Sequence, residues 1–252
     1  MHQAIRVSIV IAILNSHEVV RRQIEHFKKM NLLDDVEFIF VDDGSEPPLC
    51  FSDSGLRNLS FYYTFDKRPW TQGLARNLGA SKSNGEYLFF TDIDHIITKE
   101  AIGDALKFDG DKMVFPRYFG ILNENGDIVN DVDSMLKFGL NPIRVKTHRG
   151  LLNAGMHGNT YVIRKTLFEA MGKYDPRLCQ SMFHVGGRFM SEERRFNNKY
   201  DGLIGRGKAK DSVIGSGIYH FPVSKFRTDG DNNPFGLFHD LSLEQVPQPM
   251  MK

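Results

Sequence analysis

The chain has 252 residues, 41% hydrophobic and 25% charged, with a formal net charge of +1. That length suits an ordinary globular protein with a substantial core, and no apolar run reaches the roughly 18 residues that read as a membrane span. Two cysteines, Cys50 and Cys179, provide neither a disulfide framework nor a zinc spacing. The opening MHQAIRVSIVIAILN resembles a leader at first. Its apolar part runs straight into Asn15 and charged sequence, however, without a small-residue cleavage site. It is therefore read as a buried strand, and the chain as cytoplasmic.

Residues 5–14 form an apolar β-branched run that suits a strand buried on both faces. Val20, Ile24, Phe27 and Leu32 then recur at helical spacing. Residues 36–41 are a second buried strand, ending in Asp42-Asp43-Gly44-Ser45, and residues 59–65 read as a third. A helix follows over 72–82, closed by the Asn84-Gly85 turn signal, and then a strand over 86–91 ending in Asp92-Ile93-Asp94. Strands alternating with helices predict an α/β fold with an open, mostly parallel, Rossmann-like sheet.

The second half is less regular. Residues 113–122 and 128–132 flank Asn123-Glu124-Asn125-Gly126 as a hairpin, and 160–164 read as a strand. Thr166-Leu167-Phe168-Glu169 matches a capping box, opening a short helix that Gly172 closes. Residues 202–217, with five glycines, read as a mobile basic loop, and 247–252 as a frayed tail. No repeat or linker separates two domains. The expected organisation is a single domain over 1–252, with halves at 1–97 and 98–227 and a tail at 228–252.

Residues 137–227 hold 17 Lys and Arg against 6 Asp and Glu, while the remainder holds 15 against 25. This asymmetry points either to solvated faces or to an anionic partner docking on the second half. Ligands of open α/β sheets bind beyond the carboxyl ends of the strands. Two strands here finish in carboxylates, at Asp42-Asp43 and at Asp92/Asp94. Asp92 and Asp94 share one side of their strand by the two-residue alternation, an arrangement that suits Mg²⁺ or Mn²⁺ bridging a diphosphate.

VSIVIAILN, FIFVDDGS and QGLARNLGASKSNGEYLFFTDID, in that order, resemble the family 2 glycosyltransferases. The resemblance implies the GT-A fold, a metal-dependent inverting transfer of a hexosyl group from a nucleotide-diphosphate donor (most often a UDP-sugar), and a hydroxyl acceptor. It puts Ile13, Asn15, Asp42 or Asp43, and Arg76 at the nucleotide. It puts Asp92 and Asp94 at the diphosphate and a divalent metal, Mn²⁺ or Mg²⁺, with Asp92 toward the ribose or the metal's outer shell. Ser191-Glu192-Glu193-Arg194 stands where the family has its catalytic acidic pair. By that match Glu193 is the base, and Glu192 binds acceptor or orients its neighbour. Tyr219-His220-Phe221-Pro222 resembles the segment that supplies a histidine metal ligand, here His220 ahead of His157 and His184. Lys225 and Arg227 follow as candidates for holding the diphosphate.

Three positions depart from the family pattern. Ala12-Ile13-Leu14-Asn15 replaces a Pro and an aromatic residue, Glu193 replaces an Asp, and Gly186-Gly187-Arg188-Phe189-Met190 replaces a Trp-rich acceptor motif. The acceptor stays open; with the basic second half it is expected to be an anionic glycan, a lipid headgroup or nucleic acid. Alternatives are a sugar nucleotidyltransferase and a non-catalytic nucleotide-sugar-binding module. Residues 202–209 match P-loop spacing except that Ala209 stands where Ser or Thr is required, and no buried strand precedes them. The functional version of that basic loop is a lid over the donor.

Overall fold

The computed structural model describes residues 4–32, 34–50, 54–66, 71–137, 147–148, 151–176, 184–185, 188–189 and 192–221. Its first half is built on β1 (Val7–Ile13), α1 (His17–Met30), β2 (Val36–Asp42), β3 (Leu59–Tyr63), α2 (Gln72–Lys82) and β4 (Tyr87–Asp92). The four strands lie side by side in the order β3-β2-β1-β4, all parallel. β1 and β2 are buried along their whole length, as expected of strands covered on both faces. Ile13 pairs with Asp42, and Ala12 with Asp92. Both acidic strand ends therefore flank the end of β1.

Side-chain alternation divides the core into two layers. Ile9, Ile11, Phe38, Phe40 and Phe89 face Val20, Ile24 and Phe27 of α1 together with Ala101 and Ile102 of α3 (Lys99–Lys107). Val10, Ile39, Val41, Leu88 and Phe90 face the opposite way. They pack on Ala75 and Ala80 of α2, Phe168 of α5 (Lys165–Ala170), and Phe196 and Tyr200 of α6 (Glu192–Ile204). Each such side chain contributes roughly 1.5–3 kcal/mol by leaving water. Gly79 lets α2 lie directly on the sheet, because a Cβ there would stand 2.4 Å from Val10 Cγ1 and 3.2 Å from Val41 Cγ2.

The remaining strands are β5 (His95–Ile96), β6 (Lys112–Phe119), β7 (Ile121–Leu122), β8 (Ile128–Val129), β9 (Thr147–His148), β10 (Leu151–Arg164), β11 (His184–Val185), β12 (Arg188–Phe189), β13 (Val213–Ile214) and β14 (Ile218–His220), with a short α4 (Val132–Lys137). The sheet continues β4-β10-β6-β14-β5, so strands from before and after residue 97 share it. β10 runs antiparallel to β4 and β6, and β14 runs parallel to β6 and antiparallel to β5.

Four expectations for this half change. The stretch 113–122 breaks at Gly120, and the hairpin shrinks to β7–β8, because β6 takes β10 as its partner. The strand expected at 160–164 is the end of the 14-residue β10. α5 starts after Arg164 with no side-chain cap, so the capping-box match at Thr166 is not used; Gly172 does follow the helix, its N–H bonded to Glu169 O. Residues 202–217 are not one loop: α6 runs to Ile204, and β13 pairs with Met113 and Val114. The tail at 247–252 and Cys179 lie outside the described residues.

Gly79→Ala should destabilise the protein by about 1–3 kcal/mol, the cost of overpacking against a fully buried β-branched neighbour. Gly103→Ala in α3 meets nothing within 4 Å and should instead stabilise by up to about 1 kcal/mol through helix propensity. Urea unfolding of the two variants checks both signs.

Candidate active site at the strand ends

The β2 carboxylates have separate work. Asp42 is buried, and its two oxygens accept the Ser45 and Leu49 N–H groups, each at 2.8 Å. Asn15 supports the same loop: its backbone N–H donates to Ser45 Oγ at 2.9 Å, and its Oδ1 accepts the Glu46 N–H at 2.9 Å. Ile13 O accepts the Asp43 N–H at 2.7 Å. Asp42 and Asn15 thus shape the loop after β2. The Asp43 carboxylate accepts hydroxyls from Thr64 at 3.1 Å and Thr71 at 2.8 Å. Burial pushes it up to about 6, against the lowering effect of those two donors.

Asp92 gathers three donors from three elements. Gln72 Nε2 reaches Oδ1 at 2.7 Å, Asn159 Nδ2 reaches Oδ2 at 3.0 Å, and Arg76 makes a close ion pair with Oδ1. Gln72 and Arg76 sit one turn apart on α2 and so share a face. Asn159 lies in the irregular stretch of β10 between Met156 and Tyr161, and such irregularities re-aim side chains. Arg76 is fully buried. It also lies 3.7 Å from Glu193 Oε1, donates to Tyr174 Oη at 3.4 Å, and packs over the Tyr174 ring. Tyr174 is in turn bonded to Tyr161 at 2.6 Å. The charge of Arg76 is thus balanced inside the fold by Asp92 and Glu193.

A second cluster follows directly after β4. Asp94 Oδ2 is 3.2 Å from His220 Nε2, and ligand atoms of Asp94, His95 and His220 lie within 4.8 Å of one another. The β5–β14 pairing sets His220 opposite His95, and Phe221 N–H bonds Asp94 O at 3.0 Å. His95 is buried between Thr160 Oγ1, 2.5 Å from Nδ1, and Arg117 Nη1, 2.9 Å from Nε2. Burial holds its pKa down to about 3, so the ring is neutral in the working range. A carboxylate and an imidazole suit a hard-to-borderline cation such as Mn²⁺ or Mg²⁺. The buried, unpartnered Nδ1 of His220 marks a ring held by packing rather than by a competing hydrogen bond.

The acidic pair opens α6. Glu192 is buried with neither carboxylate oxygen hydrogen-bonded, and burial, reinforced by Glu193, raises it to about 7. Glu193 is partly exposed beside Arg76. Nearby carboxylates in unequal environments separate into a protonated and an ionised partner.

Lys225, Arg227 and the side chains of His157 and His184 lie outside the described residues. The lid reading of 202–217 is corrected. Lys210 N–H bonds Asp111, ahead of β6, and β13 pairs with the start of that strand, whereas Arg117 and β14 lie toward the other end, at the site. Four basic residues of the second half are engaged within the fold. Arg164 pairs with Glu86 and Asp109, Lys165 with Ser83 O, Lys199 with Met171 O, and Arg195 with Asp175. Sequence reasoning missed Gln72, His95, Arg117 and Asn159. Gln72 could have been found from its spacing to Arg76, and His95 from its place after the DID run. Arg117 and Asn159 have no local signal.

The sequence model of the family described as Glycosyl transferase family 2 matches residues 8–170. No curated protein matches the chain by sequence. Among solved structures, TarS of S. aureus aligns at 18% identity and a TM-score of 0.52, covering 86% of this chain and 36% of that one. The 1–349 portion of TarS in complex with UDP aligns at 16% identity and a TM-score of 0.51, covering 87% of this chain and 61% of that one. This chain thus spans between about a third and three fifths of the TarS chains that it matches, and the likeness establishes a GT-A fold.

The raised pKa of Glu192 has a consequence for stability. The native state binds that proton more tightly than the unfolded chain, so the stabilising contribution is complete below 4.5 and is lost as pH rises toward 7. Glu192→Gln removes the dependence, while Asp43 is common to both proteins and cancels. The variant should gain on the order of 2 kcal/mol on the wild type between pH 4.5 and 7.5. Urea midpoints across that range test this, and a pH-independent offset would contradict it.

Proposed function

The chain belongs to glycosyl transferase family 2, and from that premise we propose that it is a metal-dependent inverting transferase moving a sugar from UDP to an acceptor hydroxyl. The observation that carries this reading is the convergence at the strand ends: Asp94 beside His220, and Asp92 joined through buried Arg76 to Glu193. Uridine as the base is supported by the TarS portion solved with UDP.

Asp94 and His220 would hold Mn²⁺ or Mg²⁺, and such a cation would supply positive charge to offset the negative charge developing on the departing diphosphate. Asp92 is held in one orientation by Gln72, Arg76 and Asn159, and would face the diphosphate from there. The loop organised by Asp42 and Asn15 forms the floor for the nucleotide, with the Asp43 carboxylate beside it. In a single displacement the acceptor oxygen bonds to the anomeric carbon as the carbon–diphosphate bond breaks. Glu193 takes the acceptor's proton. Arg76 favours the ionised form of Glu193, which a base requires, while Glu192, raised to about 7, can keep its proton and donate a hydrogen bond to the acceptor.

Incubation with UDP-sugars and Mn²⁺ should release UDP; release of pyrophosphate would instead identify a nucleotidyltransferase. Asp94→Asn and EDTA should each abolish Mn²⁺-dependent donor turnover, and full activity of Asp94→Asn without metal would sink the metal assignment.

Glu193→Gln keeps shape but cannot accept a proton, so kcat should fall by about 10²-fold or more with donor affinity nearly unchanged. If Glu192→Gln shows that loss and Glu193→Gln does not, the two roles are reversed.

A further inference from the structure

Three potential ligands surround the proposed cation position, yet one of them is engaged elsewhere. Ligand atoms of Asp94, His95 and His220 lie within 4.8 Å of one another, close enough for one ion to be shared by all three. His95, however, is hydrogen-bonded at both ring nitrogens. Arginine has five N–H donors and no acceptor. Its contact with Nε2 at 2.9 Å therefore uses the lone pair that a metal would need. That fixes the other nitrogen as Nδ1–H, donating to Thr160 Oγ1.

The lock is rigid, because Arg117 is itself held at two further points. Its Nε donates to Gly155 O and its Nη2 to Ala154 O, both at 3.2 Å. Those carbonyls lie where the β10–β6 register shifts between Asn153 and Gly155, with Gly155 at φ +77°. Arg117 is buried, so it cannot exchange His95 for water without disturbing that bulge.

We propose that Arg117 withholds His95 from the metal, leaving Asp94 and His220 as its two protein ligands among the described residues, so that the cation binds firmly only when a nucleoside diphosphate completes its shell. The proposal rests on the assignment of Asp94 and His220 given above. A hard cation takes about six ligands. Two from the protein leave most of the shell to water and phosphate oxygens, which couples cation binding to donor binding. A third protein ligand would weaken that coupling by making the donor-free site a stable metal site.

The test uses Mn²⁺ alone, without nucleotide, read by calorimetry and by pulsed EPR, which counts coordinated imidazole nitrogens. Wild-type protein should bind weakly and show one imidazole. Arg117→Met frees Nε2 while keeping apolar bulk, so it should show two imidazoles and bind Mn²⁺ tighter by roughly tenfold or more. Adding His95→Gln should return both readings to the wild-type values. Two imidazoles in the wild type would overturn the proposal. So would tightening that survives His95→Gln, because Arg117 would then act only as a repelling charge. If Arg117→Met does not fold, the wild-type imidazole count decides, together with His95→Gln alone, which should leave Mn²⁺ affinity unchanged. The underlying assignment fails separately: His220→Ala would then leave the wild-type imidazole signal intact.

Discussion

The site depends on one buried guanidinium. Arg76 lies inside the layer between the sheet and α6, where an unpaired charge would cost several kcal/mol. It is balanced by Asp92 at the end of β4 and by Glu193 at the start of α6, with the Tyr174 ring against its face. Both carboxylates are therefore held at fixed positions relative to each other, although 101 residues separate them in sequence. A base must stand within hydrogen-bond reach of the attacking hydroxyl while the diphosphate is held on its other side. A shared buried cation imposes that spacing directly on the fold.

A second guanidinium, Arg117, acts on the residue that follows Asp94. The two arginines sort the DID run: Arg76 takes Asp92 inward, and Arg117 takes His95 away from Asp94. Asp94 is left to His220. Both arginines are buried and hydrogen-bonded along fixed directions, the role for which a planar fork is better suited than a flexible ammonium. The neutral state of His95 follows from the same burial, which penalises the charged ring beside an existing cation.

Three basic residues of the second half brace the fold. Arg164 braces the start of β4 and the turn before β6, and Lys165 and Lys199 satisfy carbonyls at helix ends. Such charges brace an irregular half of the fold through side-chain contacts, where the β10–β6 register is interrupted and most other strands are two or three residues long.

What the sequence by itself determined is the local part. Buried β-branched runs, a helical period and strand-end carboxylates make β1, α1, β2, α2 and β4 legible, because each is specified by contacts along the chain or by an unbroken burial pattern. Asp42, Asp92 and Asp94 were visible as carboxylates at strand ends, where open sheets carry their ligands, and the Glu192–Glu193 pair only through the resemblance to family 2 glycosyltransferases. The tertiary structure alone decided what each one does. Asp42 became a loop anchor through Ser45 and Leu49, and Arg76 became internal through Asp92 and Glu193. His95 lost its free lone pair to Arg117, and residues 202–217 became a helix end and a strand. The Asp42 partners are only three and seven residues away, but Arg76 meets Glu193, and His95 meets Arg117, only after β10 and β14 insert beside β4 and β6. Hydrogen bonds and ion pairs in a low-dielectric interior then depend on which donor arrives at which acceptor, and the sheet order, not the sequence order, sets that.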